Sequence, residues 1–386
     1  MHELEARAAE LKAKGDAIGS LAVWEQAAKL APRSAHIQDE IGFLLAAQRR
    51  LDEALQSFQR ALSLDAGFAP AQYHLGVAYW LRGDPAESIP HLQSAVGLAP
   101  ENFEYRFYFG HALNSTANYK TALAQLEKAA ALNPKHAEAW NQLGLARQRT
   151  GDPAGALNAY QQSVTVDPAN LDARNNLGFV LVESGRAAEG IAQFQKILES
   201  DPGNNMARVN IGFAYLQRAE LGKAEQQFRE VLRSDPNSAI AHYDLGVALK
   251  QKDDLDGAKQ QIERALALDP ALAEAHYTLG IIDWQSGDFD AAARHMRSAI
   301  ALQPGYAEAY FMLGTALKQK GDFEGAGKAL RSAIRLDPEN PGPYNTLGQL
   351  LRQQGDVEGS RSLLTEGARA KQKKEAALGR MLQKKP

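Results

Sequence analysis

Residues 135–168 read KHAEAWNQLGLARQRTGDPAGALNAYQQSVTVDP, and this stretch decides the fold. It holds Trp140, Leu143 and Gly144, then Gly151-Asp152-Pro153, then Ala156, Tyr160 and a closing Asp167-Pro168. In strides of 34 the pattern returns. Closing prolines fall at Pro32, Pro100, Pro134, Pro168, Pro202, Pro236, Pro270, Pro304 and Pro338, with Ala66 on the one missed beat. Glycines in step with Gly144 fall at Gly42, Gly76, Gly110, Gly178, Gly212, Gly246, Gly280, Gly314 and Gly348. A fixed period of this size means a stacked repeat solenoid of units that cannot bury an apolar face alone.

Each period predicts two helices. Leu51, Ala54, Leu55, Phe58, Ala61 and Leu62 follow helical spacing, and Ala241, Leu245, Ala248 and Leu249 form a matching stripe one helix earlier in another unit. Gly144 and Ala156 are placed where two helices cross, because a glycine inside a helix costs roughly 1 kcal/mol of propensity and its regular return needs a packing reason. Between the helices, Gly15-Asp16, Gly83-Asp84, Gly151-Asp152, Gly287-Asp288, Gly321-Asp322 and Gly355-Asp356 pair a C-terminal glycine with an N-cap aspartate. Pro85 and Pro153 then take the first helical position, where no amide donor is lost. Ser34, Asn102, Asn170, Asn204, Ser238 and Asn340 are positioned to cap the next first helix.

The W-x2-L-G spacing, the later alanine, the aromatic four residues on and the final proline together resemble the tetratricopeptide repeat family. The resemblance covers residues 1 to about 370. It implies an all-α chain: an α-solenoid, a right-handed superhelix of about eleven helix-turn-helix units with a C-terminal capping helix. Residues 1–34 form a degenerate first unit, in which Ala8 replaces the glycine and Ser20 the small alanine. Residues 35–340 form nine regular units, 341–370 the last, and 371–386 a basic helix or tail. In that tail Leu378, Met381 and Leu382 are expected to cover the exposed end of the stack.

Composition bounds the chemistry. The 386 residues carry a net charge of −3, and residues 369–386 hold seven Lys/Arg against one Glu, leaving the rest near −9. There is no cysteine, which excludes disulfides, thiolate metal sites and cysteine nucleophiles. No apolar run approaches the ~20 residues that span a bilayer. The amino-terminal segment MHELEARAAELKAKGD has no signal-peptide core. The expectation is a cytoplasmic chain, or a periplasmic or envelope-associated one if a leader has been removed.

Apparent motifs fail on context. Gly325-Ala326-Gly327-Lys328 lacks the earlier glycine of a phosphate loop and falls inside a predicted helix. Arg82-Gly83-Asp84 is an interhelix turn, and Asn114-Ser115-Thr116 is a sequon only by its letters. The nine histidines make no metal-ligand spacing; His242 and His276 share the unit position held elsewhere by Trp140, Tyr310 and Tyr344, a packing position. No catalytic constellation, cofactor or metal site is expected, and no nucleic-acid surface.

What the resemblance implies for function is a concave face lined by the first helix of each unit. Its positions supply an aromatic cluster of Tyr73, Trp80, Phe107, Tyr108 and His111, then an amide zone of Asn141, Asn175, Asn176 and Asn210. Beyond them runs a row of Gln217, Gln251, Gln285, Gln319 and Gln353, flanked by Lys250, Lys318 and Arg352, with Trp284 on an apolar strip. The expected function is a non-catalytic protein–protein interaction scaffold. It would hold an extended, partly acidic partner segment, anchored at the aromatic cluster. The alternatives are a self-assembling structural protein (a homo-oligomer) and a targeting subunit for a separate enzyme, of glycosyltransferase-adaptor type. No unit pairs a lysine at its fifth position with an asparagine at its ninth, as chaperone-tail clamps of the family do.

Overall fold

The computed structural model describes residues 1–383, with side chains through Ala376. Among these residues every regular element is an α-helix, and there are twenty-two, alternately the first (A) and second (B) arm of a hairpin. They belong to two compact units that divide after Ile197. The first contains α1 (His2–Ala13), α2 (Ala17–Leu30), α3 (Ala35–Ala47), α4 (Leu51–Leu64), α5 (Ala69–Arg82) and α6 (Pro85–Leu98). It continues with α7 (Phe103–Ser115), α8 (Tyr119–Leu132), α9 (Ala137–Arg149), α10 (Pro153–Val166) and α11 (Leu171–Glu183), and the division falls in the last turn of α12 (Ala187–Ser200). The second contains α13 (Asn205–Gln217), α14 (Leu221–Ser234), α15 (Ala239–Gln251), α16 (Leu255–Leu268) and α17 (Ala273–Gln285). It ends with α18 (Phe289–Leu302), α19 (Ala307–Gln319), α20 (Phe323–Leu336), α21 (Pro341–Gln353) and α22 (Val357–Gln383).

Every hairpin turns on one residue in the left-handed region. Gly15, Gly83, Gly151, Gly185, Gly287, Gly321 and Gly355 hold φ between 79° and 94°. Where the glycine is missing the turn is unchanged: Arg49, Ala117, Ala219 and Asp253 take φ of 61°, 59°, 56° and 66°. A Cβ in this conformation costs about 1–2 kcal/mol, so packing of the two arms overrides local preference in four turns. Ala219→Gly is therefore expected to stabilise the chain by about 1 kcal/mol, part of the gain being lost to the greater freedom of glycine when unfolded. Urea denaturation checks this, and an unchanged or lower midpoint would mean that Ala219 carries no strain.

Capping follows the sequence with one exception. Asp152, Asp288, Asp322 and Asp356 accept from the amide three residues on at 2.8–2.9 Å, and Asp16 does so at 2.8 Å. Asn170 and Asn204 cap their A helices at 2.9 Å. Asp84 does not cap. Its carboxylate accepts from Arg82 Nε at 2.6 Å instead, a charge-assisted bond that outcompetes the neutral amide.

The recurring glycine is where a large side chain of the partner arm, sixteen residues later, lies across the A helix. A methyl group on Gly42, Gly144, Gly178 or Gly212 would sit 2.4–2.6 Å from a ring carbon of Phe58, Tyr160, Phe194 or Phe228. In other units Leu92, Leu126, Ile262, Met296 and Leu330 fill the same place. These side chains are almost wholly buried and, with the small alanines around them, form the core.

With units counted so that the recurring glycine is position 8, position 4 has a job that hydropathy hides. Its side chain donates to the carbonyl of the closing proline six residues back: Arg106 to Pro100 at 2.5 Å, Trp140 to Pro134 at 2.9 Å, Arg208 to Pro202 at 2.9 Å and Tyr344 to Pro338 at 3.3 Å. His242 and Arg174 do the same to Pro236 and Pro168. The position selects a reaching N–H or O–H rather than bulk, since a carbonyl at a helix junction must find a donor.

In each unit the A helices form the inner row. α3, α5, α7, α9 and α11 each touch the next of the series, as do α13, α15, α17, α19 and α21, whereas among the described residues no contact links the B helices α4, α6, α8 and α10, or α14, α16, α18 and α20, one to the next. Beyond the last hairpin α22 extends to 27 residues. Gly367 and Ala370 are buried, and Gly367 lies against Tyr344, so α22 covers the end of α21. The expected contacts of Leu378, Met381 and Leu382, and the side chains of Arg380, Lys384 and Lys385, lie outside the described residues.

Candidate functional site

The side chains that neighbouring A helices present to each other follow one register. Position 5 of one unit meets position 6 of the next, as in Asp39–His74 at 2.8 Å, Asn141–Asn176 at 3.0 Å and Tyr243–Thr278 at 3.5 Å. Position 12 meets positions 6 and 9 of the next unit. Asn114 donates to Gln142 at 3.0 Å, Lys318 to Gln349 at 3.2 Å, and Trp80 packs on Tyr108 and His111 with ring centroids 6.2 and 4.9 Å apart.

Within Met1–Ile197 this register assembles the expected aromatic cluster. Tyr73 on α5 lies 5.6 Å from Tyr108, and Phe107 lies 5.1 Å from Tyr108 and 5.8 Å from His111. Phe107 is buried and serves as floor rather than contact surface. Burial pushes the Tyr73 phenol up, with Tyr108 and Glu104 adding to the shift, and pushes the His111 imidazole down, so His111 stays neutral at physiological pH. The sequence reading missed three members. Tyr105 lies tilted against Tyr73 with ring centroids 4.7 Å apart, and Phe103 and His136 close the far side, His136 lying 4.7 Å from Phe107. His136 was hidden because it precedes its helix, capping it through Nδ1 at 3.1 Å.

The amide zone is more committed than its spacing suggests. Asn141 is buried and accepts from Asn176, and its own amide points at Glu138 at 3.4 Å. These two amides tie A helices together before they meet any ligand. Asn175 on α11 and Asn210 on α13 are half-buried.

Beyond Ile197 the glutamine row stands as the period implies. Gln217, Gln251, Gln285, Gln319 and Gln353 each end an A helix, each is exposed, and none makes a side-chain hydrogen bond among the described residues. Lys250 is half-buried, and desolvation holds its ammonium below the usual lysine range. Lys318 spends one donor on Gln349, and Arg352 is exposed. Trp284 is a packing residue: its ring joins the apolar cluster around Leu313 and Leu317, and its Nε1 is buried with no acceptor.

The other motifs resolve as structure. Gly327 and Lys328 lie inside α20. Asn114 is buried and bonded to Gln142, which puts the sequon out of reach. His276 pairs with His295 at 3.3 Å. Among the described residues no cluster of His, Asp or Glu is arranged to hold a metal, and no helix is long and apolar enough to cross a membrane.

A chain of helical hairpins with an inner row of A helices defines a repeat interaction scaffold. Tetratricopeptide repeat profiles match residues 40–103, 141–205 and 277–341, with further repeat matches over 110–151, 181–245, 239–272 and 317–385. The chain belongs to the tetratricopeptide repeat family, whose members are protein-interaction scaffolds. No curated protein sequence matches it. Among solved structures it is similar to yeast Tom70, with 14% identity, a TM-score of 0.54, and coverage of 100% of this chain and 97% of that one. A tetratricopeptide repeat protein from Parabacteroides merdae is 16% identical at a TM-score of 0.59 over 64% of this chain and 98% of its own. Human IFIT1, a dimer with m7Gppp-AAAA, is 16% identical at 0.50 over 87% and 90%. At such identities these likenesses speak to fold alone.

Proposed function

We propose that this protein is a non-catalytic scaffold that holds an extended segment of a partner protein against its inner row of A helices. The observation that carries the reading is the row Gln217, Gln251, Gln285, Gln319 and Gln353, exposed and without side-chain bonds at one register position. An amide offers two donors and an acceptor, so a ladder of them pairs with a peptide backbone whatever its side chains. Lys250, Lys318 and Arg352 lie one residue before three of these glutamines and favour a carboxylate on the partner. Within Met1–Ile197 the ring cluster of Tyr73, Trp80, Tyr108 and His111 offers a flat apolar anchor of the kind that dominates binding energy.

The test uses a random twelve-residue peptide library displayed on phage and selected on the full chain. Each glutamine bond is worth about 1 kcal/mol, so the combined Gln251→Ala, Gln285→Ala, Gln319→Ala variant should bind an enriched peptide roughly a hundredfold more weakly. Unchanged affinity, or no enriched peptide at all, contradicts the reading.

A further inference from the structure

The register between A helices singles out one carboxylate. Position 6 carries His74, Gln142, Asn176 and Thr278 in other units, and each of these meets a polar atom of a neighbouring residue. In the second hairpin of the second compact unit, on α15, position 6 is Asp244. The residues that the register sets against it are position 5 and position 12 of α13, which are Val209 and Leu216, both part of the apolar packing around Leu245 and Leu249. Asp244 consequently makes no ion pair or hydrogen bond among the described residues, although it is only partly exposed. Neither of its oxygens is sealed from solvent, since neither falls among the fully buried atoms that lack partners.

Among the described residues no cation neutralises it. Lys250 is on the same helix six residues on, and helical neighbours meet only at three or four; the register turns Lys250 towards α17, opposite Thr278 and Ile281. Its chain neighbour Tyr243 reaches the other way, to bond Thr278 of α17 at 3.5 Å. A carboxylate beside apolar surface, open on the inner face and lacking a counter-charge, is matched by a cation with an apolar stem.

We infer that Asp244 is the recognition point for an arginine or lysine side chain of the bound partner segment, its aliphatic stem lying on Val209 and Leu216. This rests on the proposed groove binding and adds a requirement to it: a positive side chain at one fixed place. Burial, which pushes the Asp244 carboxyl up to about 7, agrees with a site built to be completed by an incoming cation.

The experiment repeats the display selection on the full-length protein and on Asp244→Asn, an isosteric change whose folding is checked by circular dichroism. Peptides enriched on the wild type should share an arginine or lysine at one position, and the Asp244→Asn selection should lose it. Replacing that arginine by citrulline, which keeps the shape but removes the charge and puts a carbonyl oxygen in place of one NH2 group, should weaken binding at least tenfold on the wild type and less than twofold on Asp244→Asn. Equal affinity of the arginine and citrulline peptides for the wild type overturns the inference. Peptides that depend on the glutamine row yet share no cation overturn it alone, whereas failure to enrich any peptide overturns the groove reading together with it.

Discussion

Gly212→Ala lowers the unfolding free energy by about 2 kcal/mol, and Gly212→Val by more. Helix propensity predicts the opposite sign, because alanine inside a helix is favoured over glycine by about 1 kcal/mol. The difference is the ring of Phe228, whose Cε1 would stand 2.4 Å from the new methyl group. Phe228 is fully buried and cannot swing aside, so the two arms must separate, and overpacking of this kind costs roughly 1–3 kcal/mol or more. A cycle with Phe228→Ala separates the causes, since a leucine there would crowd the glycine as Leu92 and Leu126 do in their own hairpins: the penalty of Gly212→Ala should shrink when the ring is gone, the non-additivity expected of residues in direct contact. Equilibrium urea denaturation of the four proteins supplies the numbers. Stabilisation by Gly212→Ala in the wild-type background would show that the glycine is not there for packing.

The second large effect depends on pH. The Asp244 carboxyl is pushed up to about 7 by burial against α13, from an ordinary value near 3.8. Between these values the folded chain holds a proton that the unfolded chain has released. The neutral group therefore carries no penalty below about pH 4, and stability is lost as pH rises through 7. The difference between the two values sets a ceiling of about 4 kcal/mol above pH 8, lowered by the residual solvent access of the carboxylate. Asp244→Asn should thus be more stable than the wild type by about 2–4 kcal/mol at pH 8 and equal to it near pH 4. Thermal or urea unfolding at the two pH values checks this; a gap of the same size at both would place the effect in packing instead of charge.

Much of the fold was legible in the sequence because the determinants are local and repeat. The 34-residue beat, the glycine–aspartate turns and the caps at Asn170 and Asn204 each act within a few residues of themselves. What could not be read depends on neighbours one unit away. Trp140, Arg106, His242 and Tyr344 look unrelated by size and charge, and only the proline carbonyl six residues back shows their common role as donors. Asp84 looked like a cap because nothing in its own turn reveals that Arg82 would take its carboxylate. The glutamine row was visible as a pure periodicity. The asparagines of the amide zone were visible too, but their bonding was not, since Asn141 and Asn176 meet through an offset of 35 and not 34. Asp244 was hidden for the same reason: its neighbours Val209 and Leu216 lie 35 and 28 residues upstream, and only the pairing of A helices brings them to it.

The most direct test of a partner-binding inner face is a photo-crosslinking pair. A benzophenone amino acid is placed at Gln285, at the end of α17, or at Glu263, exposed on the outer helix α16. Each protein is then irradiated with a peptide enriched from the library. Crosslinking from position 285 alone is the predicted result, and equal or stronger crosslinking from position 263 would contradict binding on the A-helix face.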